Sequence, residues 1–239
     1  MVIDTGHLIE KKGGEFSSQI KDTFSRFQDD LREKRNPITL SFLDEETIAE
    51  LKSIAKKLRE KYENILILGI GGSALGTKAM LQFLYGCYYQ LEQHKPRIFI
   101  LDNIDPATIS QLERILDFRK TALIYTSKSG STAETAANFI YFYNKYKEAG
   151  GDERDIVIIC DPGDNGINRI AKKLGCYLLR FPKNLQGRYS VMSPVGFLPA
   201  ELAGIDCRGF LDGAGAVHKL LTTKPSEENP LLVLGGAIY

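Results

Sequence analysis

The chain has 239 residues, of which 43% are hydrophobic and 26% are charged, so it can bury a core as one large domain or two small ones. Its 31 lysines and arginines nearly balance 30 aspartates and glutamates, and the net charge of +1 argues against a general nucleic-acid binder or an anionic-membrane binder. No run of 18 apolar residues is present and the N-terminus lacks the apolar core of a signal peptide, so we expect neither a membrane span nor secretion.

The cysteines and histidines favour a reducing compartment and argue against a metal centre. Cys87, Cys160, Cys176 and Cys207 form no CxxC pair and lie mostly within apolar runs, which predicts buried, reduced thiols and a cytoplasmic location. The three histidines share no metal-ligand spacing, so we expect no zinc site.

Residues 1–63 are unusually rich in charge, and they predict two amphipathic helices. Apolar residues recur at spacings of three and four over 16–31 and again over 48–58. Asp44 stands where it would cap the second helix. We interpret this segment as a pair of helices laid over another part of the protein, with no catalytic constellation of its own.

From residue 64 onward, short apolar runs alternate with helical stretches. Each run is too short for a helix and nearly continuous in apolar character, which is typical of strands buried on both faces of a parallel sheet. The predicted strands are Asn64–Ile70, Arg97–Leu101, Thr121–Thr126, Asp155–Cys160 and Cys176–Phe181. Helices are predicted at about 73–85, 107–117, 132–149 and 165–173. The alternation predicts an α/β fold, a doubly wound five-stranded parallel sheet with the common strand order 2-1-3-4-5, preceded by the amphipathic helices.

The C-terminal part of the sequence predicts two more helices, near 193–204 and 208–220, followed by a polar connection and a closing apolar segment. That segment ends at Tyr239 without a cap or a polar tail, so we expect it to need a partner and the chain to be a fragment of a longer protein. The expected domain boundaries are 1–63 for the helical segment, 64–221 for the sheet domain and 222–239 for the start of a second domain.

Two loops of the predicted sheet combine the features of a phosphate site. Ligands of an open parallel sheet bind beyond the carboxyl ends of the strands where the winding reverses, here between the first and third strands. The first strand leads into the glycine loop (Gly69–Gly76) and the third into the hydroxyl loop (Thr126–Thr135), and each loop opens a helix. Glycines admit backbone N–H groups close to an anion, hydroxyls donate further hydrogen bonds, and helix N-termini carry partial positive charge. The sequence therefore predicts one phosphate between the two loops.

Each loop also has a structural interpretation. The glycines would let the first strand and its helix pack closely, and Lys128 would be a solvated loop lysine. Ser131 and Glu134 match an S-x-x-E capping box, so both would serve the helix rather than a ligand.

The glycine loop satisfies a second, weak motif. Gly69-x-Gly71-x-x-Ala74 fits the dinucleotide fingerprint, and Asp102 ends the second strand where a ribose-binding acid would stand. A nicotinamide-dependent oxidoreductase therefore remains an alternative, although it leaves the hydroxyl loop unexplained. The Walker pattern for nucleoside triphosphates fails because threonine and lysine follow Gly76 in inverted order.

The arginine segment (Gly187–Gly196, GRYSVMSPVG) is the third candidate. Arg188 comes after the fifth strand and just ahead of a helix. It can therefore reach the crevice between the glycine loop and the hydroxyl loop and stabilise negative charge developing on a substrate oxygen. The structural alternative is a surface arginine paired with a carboxylate.

The stretches GIGGSALGTKAM, TSKSGSTAET and GRYSVMSPVG resemble, in the family's order, the bacterial form of the phosphoglucose isomerase (glucose-6-phosphate isomerase) family. The first two mark sugar isomerase (SIS) domains in general, whereas the third is specific. The resemblance runs from about Asn64 to Tyr239 and implies a SIS sugar-phosphate-binding domain with the flavodoxin-like strand order. It also implies a cytoplasmic enzyme of glycolysis and gluconeogenesis that interconverts glucose 6-phosphate and fructose 6-phosphate without a cofactor and is a homodimer at full length.

The resemblance also implies roles for individual residues. Arg188 would steady the enediolate intermediate, and Glu134 would match the acid of the family's S-K-x-x-x-T-x-E-T run and support the substrate site. The other residues implied to bind the sugar phosphate are Gly72, Ser73, Ser127, Lys128, Ser129 and Thr132.

The sequence departs from the family pattern in its C-terminal part. The family's glutamate base, ring-opening histidine and C-terminal lysine lie well downstream of GRYS, and nothing after Gly196 matches them; His218, for example, falls on an amphipathic helix. The resemblance therefore implies the N-terminal part of an isomerase, inactive on its own, and a stand-alone sugar-phosphate-binding or regulatory domain is the alternative. Gln186 also replaces the glycine that usually precedes GRYS.

Overall fold

The computed structural model describes residues 14–33, 43–91, 96–183, 185–223, 229, 230 and 234. The chain divides into two compact units, Leu40–Cys207 and Met1–Thr39 with Arg208–Tyr239. Most of the predicted second-domain segment, 222–239, lies outside the described residues.

Strands and helices alternate along the described part of the larger unit. The strands are β1 (Asn64–Leu68), β2 (Arg97–Leu101), β3 (Thr121–Thr126), β4 (Val157–Cys160) and β5 (Tyr177–Arg180). The helices of the described chain are α1 (Gly14–Arg32), α2 (Glu45–Lys61), α3 (Leu75–Tyr85), α4 (Pro106–Ile115), α5 (Ala133–Glu148), α6 (Gly166–Leu174), α7 (Pro194–Ala203) and α8 (Cys207–Thr223).

The five strands form one parallel sheet in the order β2-β1-β3-β4-β5, which confirms the predicted fold class and strand order. Leu68 at the end of β1 pairs with Leu101 of β2 on one side and Tyr125 of β3 on the other. Every residue of β1, β3 and β4 is buried, which explains why their sequences are continuously apolar rather than alternating. The carboxyl ends of β1 and β3 therefore stand side by side.

Helices cover both faces of this sheet. On one face, buried side chains of α4, α5 and α6 pack with those of the strands, including Phe139, Phe142 and Ile167 against Tyr125 and Ile158. On the other face, α2 and α3 both contact α7, which also contacts β2. All but two of the ten residues of α7 are buried, as expected for a helix that is apolar on every side.

Helix α2 begins at its predicted cap and is fastened to the sheet by a buried acid. The Asp44 carboxylate accepts a hydrogen bond from the Thr47 amide at 2.8 Å. Further along, Lys57 and Lys61 both form ion pairs with Asp155, which is buried just before β4. These contacts hold α2 at the amino edge of the sheet, on the side away from the predicted ligand loops.

In the smaller unit, α1 is joined to the end of α8 through side-chain to backbone hydrogen bonds. Gln28 Nε2 donates to the Leu221 carbonyl at 2.7 Å, and Arg32 Nη2 donates to the Thr222 carbonyl at 2.8 Å. No helix in the described residues is long and apolar enough to span a bilayer.

The four cysteines are all free thiols. Cys160 and Cys207 are buried and Cys176 is partly buried, but Cys87 is exposed just beyond the end of α3, so the expectation of buried thiols is wrong for that residue. Over the described ranges, no cluster of histidine, cysteine and carboxylate side chains is placed to hold a metal ion.

Candidate functional site

The glycine loop and the hydroxyl loop lie next to each other at the carboxyl edge of the sheet. A Cβ atom added to Gly69 would stand 3.2 Å from the Thr126 carbonyl oxygen, so the glycine loop passes directly over the end of β3. The hydroxyl loop is fixed on its other side, because the Ser127 amide donates to the Ile159 carbonyl at 3.1 Å and the Asp161 amide donates to the Lys128 carbonyl at 2.9 Å. The predicted reversal of winding thus brings the two loops together.

The arginine segment packs on the glycine loop. A Cβ on Gly72 would lie 2.2 Å from the carbonyl carbon of Gly187, 2.4 Å from its oxygen and 2.8 Å from the Arg188 amide nitrogen. The backbones of these two stretches are therefore in direct contact, and only glycine fits at position 72. The contact brings the backbone of Arg188 against the glycine loop, which itself passes over the end of β3.

The contact continues from the loops into helices α3 and α7. A Cβ on Gly76 would stand 2.8 Å from Val191 Cβ, and the Thr77 hydroxyl donates to the Val195 carbonyl at 3.1 Å. Both Gly72 and Gly76 therefore serve close packing, but against the arginine segment and not between the first strand and its helix, as the structural interpretation expected. Packing of this kind does not explain the hydroxyl loop.

Within the hydroxyl loop, the side chains bond mainly to one another. Ser127 is buried and its hydroxyl shares a hydrogen bond of 3.0 Å with that of Thr132, while the Ser131 hydroxyl donates to Ser129 Oγ at 2.9 Å. Gly130 forms the turn with a φ of +68°, in the left-handed region that favours glycine. The loop is a compact turn lined by four hydroxyl groups.

The predicted capping box is wrong. Thr132, not Ser131, is the N-cap of α5, and it makes no side-chain capping hydrogen bond. Its hydroxyl bonds to Ser127 instead, and Ser131 lies one residue before the cap. The first amides of α5 therefore lack a side-chain cap, which leaves their donors and the partial positive charge of the helix end available to an anion.

The two charged candidates and Glu134 occupy different surroundings. Lys128 is half-buried in the hydroxyl loop, whereas Arg188 is exposed, with its guanidinium 4.9 Å from the centre of the Tyr189 ring. No salt bridge of Arg188 occurs within the described part of the chain, which disfavours the alternative of a paired surface arginine. Glu134 is exposed in the first turn of α5 and lines a groove of about 680 Å³ between α4 and α5.

The acids at the ends of β2 and β4 have their own environments. Asp102, the candidate ribose-binding acid, forms an ion pair with Lys78 at 3.3 Å. Its carboxylate is therefore not free to bind a ribose, which disfavours the dinucleotide alternative. Burial raises the pKa of Asp161, and the nearby positive charges of Lys128 and Lys183 oppose that rise. Asp161, whose amide bonds to the Lys128 carbonyl of the hydroxyl loop, thus has two cations near it.

One side chain of this site escaped sequence reasoning. Ser190 is fully buried and its hydroxyl lies within hydrogen-bond distance of the carbonyls of both Gly187 and Gly72, at 2.7 and 3.1 Å. Ser190 is part of the GRYS motif, which singled out the segment but gave this serine no role. Its partner Gly72 is 118 residues away in sequence. A pattern within one segment does not reveal such a partner.

Comparison with known proteins gives a consistent result. The phosphoglucose isomerase family model matches residues 45–238. The glucose-6-phosphate isomerase of Carboxydothermus hydrogenoformans is 34% identical over 221 residues, 88% of this chain and 48% of that protein. That of Rubrobacter xylanophilus is 31% identical over 252 aligned positions, 100% of this chain and 57% of that protein.

Solved structures agree with this assignment. A hypothetical protein from Thermus thermophilus has a TM-score of 0.78 at 32% identity, over 92% of this chain and 53% of the other. A glucose-6-phosphate isomerase from Chlamydia trachomatis has a TM-score of 0.68 at 28% identity, over 80% and 36%. The chain spans about half the length of the curated relatives it matches. Since the family model covers most of its residues and its sheet, loops and arginine segment fit together as one crevice, this chain belongs to the phosphoglucose isomerase family.

Proposed function

We propose that this chain supplies the hexose-phosphate-binding half of a glucose-6-phosphate isomerase, which interconverts glucose 6-phosphate and fructose 6-phosphate in glycolysis and gluconeogenesis. The observation that carries the proposal is the direct backbone contact of Gly72 with Gly187 and Arg188, because it joins an anion-binding loop to a cation that has no ion pair in the described structure. The names of the curated relatives support the substrate.

The phosphate group would be held by Ser127, Lys128, Ser129 and Thr132, with Gly72 and Ser73 completing the cradle. The hydroxyls of Ser127 and Thr132 bond to each other, and phosphate oxygens are stronger acceptors that would take over those donors. The uncapped amides of α5 and the ammonium group of Lys128 add positive potential at the same place. Glu134, in the first turn of α5, would support the substrate site.

The isomerisation moves a proton between C2 and C1 through a cis-enediol, so it needs a carboxylate base and a cation beside the developing oxyanion. Arg188 would supply the cation. The proton transfer changes no net oxidation state, so the reaction requires no redox cofactor. We propose that the base comes from residues outside this sequence and that the chain alone binds substrate with negligible turnover.

We further propose a cytoplasmic location and a homodimer at full length. The four free cysteines support a reducing compartment. The dimer stays a prediction from the family resemblance.

The direct test is a thermal-shift titration of this chain with fructose 6-phosphate, inorganic phosphate and NAD in parallel. A ligand that binds only the folded state raises the melting temperature as its concentration rises. We expect fructose 6-phosphate to stabilise the chain and NAD to have no effect. Stabilisation by NAD alone, or by none of the three, would contradict binding of hexose phosphate by this chain. Steady turnover by the chain alone would contradict the proposal that the catalytic base comes from residues outside this sequence.

The hydroxyl loop gives a first mutational prediction. Ser127→Ala or Thr132→Ala should weaken fructose 6-phosphate binding by about 1–3 kcal/mol, because each change removes a hydrogen bond to a charged group. Isothermal titration calorimetry measures the loss. Ser131→Ala is the matched control, since Ser131 is exposed and bonds only within the loop in the described structure. An equal loss in the control would mean that the loop as a whole is perturbed.

Arg188 gives a second prediction, for the full-length enzyme. Arg188→Ala should lower kcat by at least about tenfold more than it lowers substrate affinity, because the C1 and C2 oxygens are neutral in the bound sugar phosphate and negative charge develops there only in the enediolate. Steady-state kinetics combined with direct substrate binding separates the two quantities. Equal losses in kcat and affinity would contradict the enediolate role.

A further inference from the structure

Ser190 touches both of the backbones that meet in the crevice. Its side chain is 0% exposed, and its hydroxyl hydrogen is shared between the Gly187 carbonyl at 2.7 Å and the Gly72 carbonyl at 3.1 Å. The first contact closes the short helical turn that carries Arg188, and the second crosses to the glycine loop. A single buried hydroxyl thus links the arginine segment to the glycine loop.

We propose that Ser190 is a positioning residue that fixes the arginine segment on the glycine loop and so sets the place of the Arg188 guanidinium over the crevice. This inference rests on the proposed function. It adds a residue to that site whose effect acts through Arg188 and not through contact with the substrate.

The link that Ser190 makes between the two backbones, called the clamp below, matters because few other contacts fix the position of Arg188. Its side chain is exposed, and its one described partner is the ring of Tyr189 next to it, so the position of the guanidinium depends on the backbone. That backbone is a 3₁₀ turn of six residues, Gly187–Met192, a longer run than the poor hydrogen-bond geometry of such turns usually sustains. This turn packs directly on Gly72, and Ser190 is the residue of the turn whose side chain bonds across that contact. The Thr77 hydroxyl bonds farther along the segment, to the Val195 carbonyl.

Ser193 offers a matched control within the same segment. It is also fully buried, but its hydroxyl donates to the Ser190 carbonyl at 2.6 Å and accepts from the Val195 amide at 3.3 Å, so it caps α7. Neither bond reaches the glycine loop. Ser193→Ala therefore removes a buried hydroxyl and some stability without cutting the link to Gly72.

The experiment compares the affinities of Ser190→Ala, Ser193→Ala and the parent chain for two probes. Inorganic phosphate reports on the hydroxyl loop, and 6-phosphogluconate carries a carboxylate at C1, where Arg188 would meet negative charge. We expect Ser190→Ala to weaken 6-phosphogluconate by at least about fivefold and phosphate by less than about twofold, because a displaced guanidinium loses one charge-assisted hydrogen bond. Ser193→Ala should leave the ratio of the two affinities unchanged. An unchanged ratio in Ser190→Ala, or an equal change in both variants, would overturn the proposal.

Native-state hydrogen exchange of the parent chain provides an independent test that needs no variant and no ligand. The Ala74 amide donates to the Gly71 carbonyl on one side of the clamp, and the Tyr189 amide donates to the Gln186 carbonyl on the other. If Ser190 couples the two segments, both amides should exchange with the same opening free energy. Independent exchange would overturn the clamp. Failure of the parent chain to bind either probe would instead overturn the proposed function, while the exchange result still decides on the clamp.

Discussion

Gly72→Ala is expected to lower the free energy of unfolding by about 3 kcal/mol and to remove most of the sugar-phosphate affinity. The added Cβ would lie 2.2 and 2.4 Å from the carbonyl carbon and oxygen of Gly187, and both are backbone atoms that no rotamer change can move away. The arginine segment must therefore shift as a whole. A shift there pulls Arg188 away from the crevice and breaks the contacts of Ser190.

Gly71→Ala is the control for the loop, because its cost has a different origin. Gly71 has a φ of +58° with open space where a Cβ would stand, so alanine there pays only for the left-handed backbone, about 1 kcal/mol. Gly163→Ala, with open space and no left-handed backbone, should be close to neutral. Urea denaturation of the three variants gives the stabilities, and calorimetry gives the affinities. A Gly72→Ala protein no less stable than the Gly71→Ala protein would contradict the packing argument.

The sheet was predictable because its sequence signal is local. β1, β3 and β4 are buried on both faces, so their residues are apolar without alternation, and each can be recognised without knowing its neighbours. The predicted strand order is the one common to doubly wound sheets, and the observed order agrees with it. The start of α2 at Asp44 was equally local, since a capping side chain bonds within its own first turn.

The candidate site was predictable only in part, because its key contacts join distant segments. The S-x-x-E pattern of the hydroxyl loop predicted a cap at Ser131, but the Ser131 hydroxyl bonds to Ser129 within the loop and the helix begins one residue later. Likewise, the spacing of Gly72 and Gly76 indicated a close approach without showing to what. The partner proved to be the arginine segment, which no periodicity in the glycine loop encodes.

The exposed thiol at Cys87 shows the same limit. Its neighbours in sequence are apolar, which suggested burial, yet Phe83, Tyr88 and Leu91 around it are themselves largely exposed. Apolar composition predicts burial only where the fold supplies a neighbour. On this side of α3 the described residues supply none.

Asp155→Asn should lower the free energy of unfolding at neutral pH by about 3 kcal/mol, the other large effect expected in this protein. Asp155 is 1% exposed and holds Lys57 at 2.8 Å, Lys61 at 2.5 Å and the Tyr62 hydroxyl at 2.9 Å. Tyr62 is in turn within 3.1 Å of the Tyr146 hydroxyl, so the carboxylate organises a buried polar cluster. Asparagine has a similar shape but no charge, and its N–H₂ group meets donors where the carboxylate offered an acceptor.

The pH dependence follows from the direction of the pKa shift. Burial alone would raise the pKa of Asp155, but hydrogen bonds from Lys57, Lys61 and Tyr62 outweigh it and lower the pKa below its usual value. A carboxyl whose pKa is lowered in the folded state contributes its full stability above the unfolded value, about 3.9, and loses it as the pH falls through the folded value. The stability difference between parent chain and Asp155→Asn should therefore be constant from about pH 7 to 5 and shrink below about pH 4.

Urea denaturation of both proteins across this pH range measures that difference. Asp164→Asn is the control, because Asp164 pairs with Arg169 at 3.0 Å where both side chains are mostly exposed, and such pairs contribute about 0–1 kcal/mol. A difference for Asp155 that stayed constant down to about pH 2, or that matched the control at neutral pH, would show that the carboxylate charge does not hold α2 to the sheet. Because Asp155 lies just before β4, this anchor stands at the amino edge of the sheet. The ligand loops at the carboxyl edge should therefore keep their affinity for sugar phosphate in Asp155→Asn as long as the chain stays folded.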